Sequence, residues 1–223
     1  KNIKFLVVGG GGGGGGGRAG GGGGGGVAQG EFGVNDPTYG DASSVSADSI
    51  SGKSLTITVG FGASGGSQNR GAAGGSSKIA DSSTTFVRAY GGGGGGYHLA
   101  ANSFACMGGA GEAPVSGPKL IALGNGAGAA MNYAFEKCIS EVWTAVPAGS
   151  VTLHAGNYGG ESFRNSDNTT NDQHRFAGGG AGAGAIGVGY TGTSATWDAN
   201  KAPNGGEGVT SPILAGIFGS GGG

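Results

Sequence analysis

KNIKFLVVGGGGGGGGGRAGGGGGGG, residues Lys1–Gly26, is the stretch whose reading decides the fold. An apolar strand-like segment, Lys1–Val8, runs directly into two glycine blocks, Gly9–Gly17 and Gly20–Gly26, interrupted only by Arg18 and Ala19. Ordering a glycine costs about 0.5–1 kcal/mol more than ordering an alanine in a regular element. Such blocks are therefore either a flexible linker or a structure in which only glycine fits. A linker joins self-sufficient domains. Here glycine returns along the whole chain, at 91–96, 108–111, 124–128, 178–184, 205–208 and 219–223, and the pieces between are too short to fold alone. The alternative is a packed array of polyglycine II helices, with three residues per turn and about 3.1 Å rise, so nine glycines span about 28 Å. These helices have no internal hydrogen bonds, so their N–H and C=O groups must pair with neighbouring helices. Without side chains they pack closely and add Cα–H···O contacts. The packed array is the reading adopted.

The 223 residues include 60 glycines but only six prolines, with no strict period of three, which excludes collagen. Charged residues make up 11% and the net charge is −1, unlike a solvated disordered tail. Near neutrality also gives no electrostatic basis for binding nucleic acid or an anionic membrane. No run of eighteen apolar residues is present, and no secretory leader pattern is visible. The expectation is a single glycine-rich domain over 1–223, cut from a longer chain, with a non-glycine segment inserted at about 129–176. Cys106 and Cys138 allow one disulfide or two free thiols, and buried thiols are the plainer reading.

Along the chain, strand-like pieces precede glycine runs. Leu55–Val59 alternates apolar and Thr residues with a period of two, and Thr84–Tyr90 leads into Gly91–Gly96. Lys119–Leu123 is a short strand or helical turn, and Val151–His154 is a strand. Val27–Ala47 reads as a polar loop with turn signals at Asp36-Pro37 and Tyr39-Gly40. Phe135, Cys138, Ile139, Val142, Trp143 and Val146 fall at helical spacing, so 132–146 predicts a short amphipathic helix or, equally, a strand pair. Glu161–Arg175 is the longest polar run and reads as an exposed loop. The fold class expected is mainly β and irregular: short strands with packed polyglycine II helices, and at most one short helix.

Chemical motifs give little. The glycine blocks contain G-x-G-x-x-G trivially, but a dinucleotide site needs a helix to open there, and more glycine follows instead. Ala47–Ser54 loosely matches a phosphate loop, yet a strand follows it rather than a helix. His98, His154 and His174 are far apart, and Asp167–Asp172 lacks the Gly and Glu of a calcium loop. Asn168-Thr169-Thr170 is a formal glycosylation sequon. No nucleophile elbow or paired carboxylates stand out, so neither an enzyme, a metal nor a cofactor is expected. What remains is surface: Tyr, Trp, Asn, Ser and Gly in recurring loops suit adaptable binding, including of carbohydrate.

The order of elements resembles the glycine-rich domain of bacteriophage tail fibre and receptor-binding proteins. The resemblance rests on FLVVGGGGGGGGG, then GGGGGGGVAQGEF, SLTITVGFGASGG, AAGGSSKI, TTFVRAYGGGGGG and the late NGGEGVTSPI. It covers most of the chain outside Asn102–Asn204. It implies a virion component, extracellular at a tail tip, built as a rigid polyglycine sandwich whose loops contact the host. The implied partners are a bacterial surface glycan or outer-membrane protein and other fibre subunits, with a homo-oligomer, commonly a trimer, and no nucleic acid. A similar domain in an animal receptor kinase ectodomain keeps a second context open. Contacts are expected at Tyr158, Phe163, Arg164, Asn165, Asp167, Asn168, Asn171, His174 and Trp197. The competing expectation is a purely structural fibre, surface-layer or ice-binding protein without a specific receptor. Irregular polar loops argue against ice binding.

Overall fold

The computed structural model describes residues 3–17, 19–33, 50–97, 107–130, 137–164, 175–189 and 203–223. Among them lie twelve short strands: β1 (Lys4–Val8), β2 (Val27–Glu31), β3 (Thr56–Thr58), β4 (Ser77–Ala80), β5 (Thr85–Ala89), β6 (Leu120–Ala122), β7 (Lys137–Cys138), β8 (Val151–His154), β9 (Ser162–Arg164), β10 (Arg175–Phe176), β11 (Val209–Thr210) and β12 (Ile217–Phe218). No helix occurs among the described residues, so the fold is mainly β and irregular.

β1 and β2 form an antiparallel ribbon in which Val8 faces Val27 and Lys4 faces Glu31. A five-stranded sheet runs β3-β4-β5-β6-β8, antiparallel as far as β5 and parallel from there. The ribbon packs on this sheet. Phe5, Val7, Ala28 and Phe32 meet Ile79, Phe86, Val87, Ala89, Leu120 and Ala122 in one apolar cluster. The Phe5 and Phe32 rings are 4.9 Å apart, and Phe32 meets Phe86 edge-on at 6.3 Å, within the range favoured by aromatic pairs. Tyr90, Ile121 and Leu123 make a second, smaller cluster.

The same strands then become the glycine helices. β1, β3, β5, β6 and β8 run on into 9–17, 59–67, 90–96, 123–130 and 155–160, while 20–26 and 69–76 lead into β2 and β4. Hydrogen bonding in these runs has a period of three. Gly9, Gly12 and Gly15 donate to the carbonyls of Gly26, Gly23 and Gly20. Gly10, Gly13 and Gly16 donate to Gly75, Ala72 and Asn69. Gly11 and Gly14 instead accept from Ala63 and Gly66. A strand would alternate every two residues; three faces per turn is the polyglycine II geometry.

Residues 20–26 form the hub. Gly20, Gly23 and Gly26 donate to Gly96, Gly93 and Tyr90, while Gly21 and Gly24 donate to Gly178 and Ala181. The carbonyls of Gly21, Gly22 and Gly24 accept from Gly128, Gly222 and Asn125, and Gly12 and Gly9 close the fifth side. A Cβ placed on Gly24 or on Gly93 would overlap a neighbouring backbone carbonyl, of Gly219 or Gly109 respectively. Only glycine permits this spacing.

Three buried polar side chains stand in for backbone where runs meet. Asn125 Nδ2 donates to the Gly24 and Gly25 carbonyls, and its Oδ1 accepts from Asn157 N–H. Ser77 Oγ donates to Val8 O and accepts from Gly60 N–H. Ser140 Oγ donates to Ala127 O and accepts from Gly159 N–H. Each resolves groups that burial would otherwise leave unpaired.

Three local expectations change. Residues 27–31 are not loop but β2, held in register by β1. The predicted helix over 132–146 is absent from its described part: Lys137–Cys138 is a strand and 139–146 is extended. Its backbone bonds go to a glycine run, with Gly108 N–H donating to Ile139 O and Glu141 N–H to Gly108 O. Ile139, Val142, Thr144 and Val146 are β-branched, which favours that outcome. The ends of the predicted loop 161–175 are also strands, β9 and the start of β10. Cys106 lies outside the described residues, and with it the question of its pairing with Cys138.

Candidate functional site

β9 is the central strand of a three-stranded sheet. It pairs with β10 on one side, setting Arg175 opposite Arg164 and Phe176 opposite Phe163. On the other side it pairs with β7, with Lys137 opposite Phe163 and Cys138 opposite Ser162. β9 and β10, which flank residues 165–174 in the sequence, thus pair as an antiparallel stem. The stem is anchored to the glycine array just before it, because Gly160 donates to Gly179 and Ala129 donates to Gly160.

Of the predicted contact residues, Phe163 and Arg164 sit in this stem. Tyr158 lies one glycine turn earlier, 51% exposed, with its carbonyl accepting from Gly187 N–H. These three are the predicted contact residues that fall among the described ones. Asn165, Asp167, Asn168, Asn171, His174 and Trp197 lie outside the described residues.

Sequence reasoning missed a second feature. A groove of about 370 Å³ opens on the array surface, with Arg70, Glu141 and Trp143 around a floor that includes Gly94 and Gly109. Trp143 is 40% exposed, and its indole Nε1 donates to Gly111 O at 3.2 Å. Arg70 reaches over the floor: a Cβ on Gly109 would stand 3.0 Å from its Nη2. The reading of 132–146 as an amphipathic helix or a strand pair placed Trp143 in an apolar stripe and did not single it out as a surface residue. In the extended chain it faces outward. A third depression, of about 510 Å³, is apolar and lies between β1 and β3, with Phe5, Ile57, Val59, Leu214 and Phe218 among its walls.

Among the described residues, Asp81 and His154 are held away from their ordinary titration ranges. Asp81 accepts from Lys53 Nζ, from Ser83 N–H and Oγ, and from Thr84 N–H in the turn joining β4 to β5. The Lys53 ammonium and these donors hold its carboxyl well below the usual range. His154 is largely buried; its Nε2 pairs with the Ala183 carbonyl and its Nδ1 has no partner. Burial pushes its pKa down, with the Ala183 bond opposing. Among the described residues no group of three His, Cys, Asp or Glu converges, and no helix is long and apolar enough to cross a membrane.

A family model described as a glycine-rich domain matches residues 1–223. No curated protein and no solved structure matches the chain.

Proposed function

The chain belongs to the glycine-rich domain family, and on that premise we propose that it is a rigid, non-enzymatic binding module. In this reading it is an adhesin domain of a bacteriophage tail fibre or tail tip, extracellular on the virion. Its scaffold holds loops against a bacterial surface glycan or outer-membrane protein. The observation that carries the reading is the strand stem of residues 162–164 and 175–176, which ties the longest polar insertion to a hydrogen-bonded array. A loop fixed at its base loses less entropy on binding than one on a free tether.

Copies of the chain, three by the tail-fibre resemblance, associate through the β3 edge in this proposal. That edge, from Thr56 to Gly65, carries no charge and no proline, and leaves Ile57, Val59 and Phe61 exposed. Unprotected edges of this kind pair readily with another chain. Light scattering on the wild type and on Ile57→Lys tests it: the mass should fall to that of a monomer in the variant, and a wild-type monomer at all concentrations would refute it. The same apolar edge favours the second reading, a structural fibre component with no receptor.

The deciding experiment compares binding of the purified domain to a panel of bacterial strains with that of a variant in which 161–175 is replaced by a short Gly-Ser turn. Saturable binding lost in the variant, with circular dichroism unchanged, supports an adhesin that reads its receptor there. Binding unaffected by the swap moves the site elsewhere on the surface. No saturable binding across the panel favours the structural role.

A further inference from the structure

We infer that Asn204-Gly205 is a site of spontaneous backbone modification, where the asparagine loses ammonia and becomes a mixture of isoaspartate and aspartate. The chain's other Asn-Gly pair, Asn125-Gly126, is shielded from the same reaction by the fold. The site belongs to the scaffold and holds whatever the domain binds.

The chemistry is carried by the dipeptide. The glycine main-chain nitrogen, once its proton has passed to hydroxide, attacks the asparagine Cγ. A new N–Cγ bond closes a succinimide ring. The Cγ–Nδ2 bond breaks, and the nitrogen takes a proton from water and leaves as ammonia. Water then adds to one of the two ring carbonyls. Opening at Cγ gives aspartate. Opening at the main-chain carbonyl gives isoaspartate, in which the chain runs through the former side chain. Glycine favours the attack because no Cβ hinders its nitrogen. Packing prescribes glycine at both positions. A Cβ on Gly205 would overlap the Gly221 carbonyl, and one on Gly126 the Glu141 carbonyl.

The surroundings of the two pairs differ at each reacting atom. Asn125 is wholly buried. Its Nδ2 donates to the Gly24 and Gly25 carbonyls, and its Oδ1 accepts from Asn157 N–H. The attacking nitrogen is held too, because Gly126 N–H donates to Asn157 O at 2.8 Å. Four hydrogen bonds therefore stand against ring closure there. Asn204 is exposed. Among the described residues its carboxamide has no hydrogen-bond partner, and Gly205 N–H donates to no acceptor. Closure there turns the Asn204 carbonyl and breaks one bond, the one it accepts from Val188 N–H.

The isoaspartate product acts on the array. It adds a carbon atom to the main chain just before Gly206. Gly206 N–H donates to Gly180 O, its carbonyl accepts from Gly221, and Glu207 O accepts from Gly184 and Ala185. A run bonded at every third residue has no slack for an extra atom. The aspartate product leaves the main chain as it was.

The test incubates the full chain at pH 7, 8 and 9, native and in guanidinium, and follows both pairs by peptide mapping with mass spectrometry. In guanidinium the two pairs should convert at similar rates. In the native chain Asn204 should convert within about tenfold of its denatured rate, the effect of one hydrogen bond, and Asn125 should be slowed about a hundredfold or more. The native rate at Asn204 should rise with pH. Protein isoaspartate methyltransferase should label the aged native chain, and Asn204→Gln, whose longer side chain closes its ring poorly, should abolish the label. In the aged chain, amide exchange should quicken at Gly184, Ala185, Gly206 and Gly221 and stay unchanged at Gly9 and Gly12. Native protection of Asn204 equal to that of Asn125, equal native conversion of both, or labelling that persists in Asn204→Gln would overturn the assignment.

Discussion

At the scale of single residues, the array is a set of steric decisions that differ between adjacent glycines. A Cβ on Gly12 or Gly13 would overlap the carbonyl oxygen of Gly93 or of Ser64, whereas on Gly11 or Gly14 the nearest atom lies 3.8 Å away. Gly12→Ala should therefore force two helices apart and cost about 3 kcal/mol or more, on the scale of overpacked or network-breaking substitutions. Gly11→Ala should be neutral or stabilising by about 0.4–1 kcal/mol, because it reduces the freedom of the unfolded chain. Denaturant midpoints of the two variants measure the contrast, and equal effects would mean the packing is not as described. His154 gives a second prediction, in pH. Its folded pKa lies below the ordinary 6.5 because burial penalises the imidazolium, and Nδ1 has no partner to receive a proton. As pH falls through about 6.5 the unfolded chain takes the proton first, so stability is full above that value and declines below it. The slope should not exceed about 1.4 kcal/mol per pH unit for one proton, and His154→Gln, which can still donate to Ala183 O, should remove it. Asp81 acts in a separate, more acidic window, because its depressed pKa stabilises the fold above the usual carboxylate range and the effect is lost below it.

At the scale of elements, a glycine helix differs from a strand and from a linker in one measurable way. In 9–17 the amides of residues 9, 10, 12, 13, 15 and 16 donate hydrogen bonds, and those of Gly11 and Gly14 do not. Amide exchange should follow that rhythm, slow, slow, fast. Alternation every second residue would indicate a strand, and uniformly fast exchange would indicate a linker. Register follows a related rule. A pure glycine run has no side chains to misplace, and its alignment is set by Val8 against Val27. Deleting Gly14 should shift only the tip near Gly16–Gly17 and cost about 1–2 kcal/mol, one or two hydrogen bonds. Deleting Gly124 should be far worse. It would move Asn125 off the Gly24 and Gly25 carbonyls and into the slot where a Cβ overlaps Gly91 O. These rules also explain what could be read in advance. Strand-then-glycine was legible at β1, β5 and β6 because an apolar run and a glycine block are both local signals. β2 was not, since Gly30 breaks its pattern and is explained only by the Phe5 ring lying across it. Residues 139–146 were not either. Their apolar spacing fits a helix, and the glycine partner that makes them extended is Gly108, some thirty positions away. For the same reason Trp143 escaped notice as a surface residue, while the exposure of Tyr158 agrees with its polar, aromatic surroundings in the sequence.

At the scale of the whole molecule, the question is what keeps an array without side chains folded. Each ordered residue forfeits about 1–2 kcal/mol of backbone entropy, glycine more than most, while a hydrogen bond returns a net of about 0.5–1.5 kcal/mol. Glycine helices alone therefore do not sustain themselves, and little apolar area is available among them to close the gap. The sandwich of ribbon and sheet supplies it. β5 passes through the fully buried Tyr90 into 91–96 without interruption, and Tyr90 itself donates to Ala122 O and accepts from Gly26 N–H. The strands thus fix the origin and direction of every helix they feed, and the two layers should unfold as one unit. Phe86→Ala tests this at a distance. Phe86 is wholly buried among ribbon and sheet, so the change should cost about 3–5 kcal/mol. If the molecule is one cooperative unit, the protection of the Gly23 and Gly93 amides, which belong to the array, should fall by the same free energy as that of Val87 in the sheet. If the glycine amides keep their protection while Val87 loses its own, the array is independently stable and the argument fails. The outcome also bears on binding. A scaffold that opens only globally keeps the groove beside Trp143 in place until it unfolds, whereas an array that opens separately would leave the groove intact only part of the time.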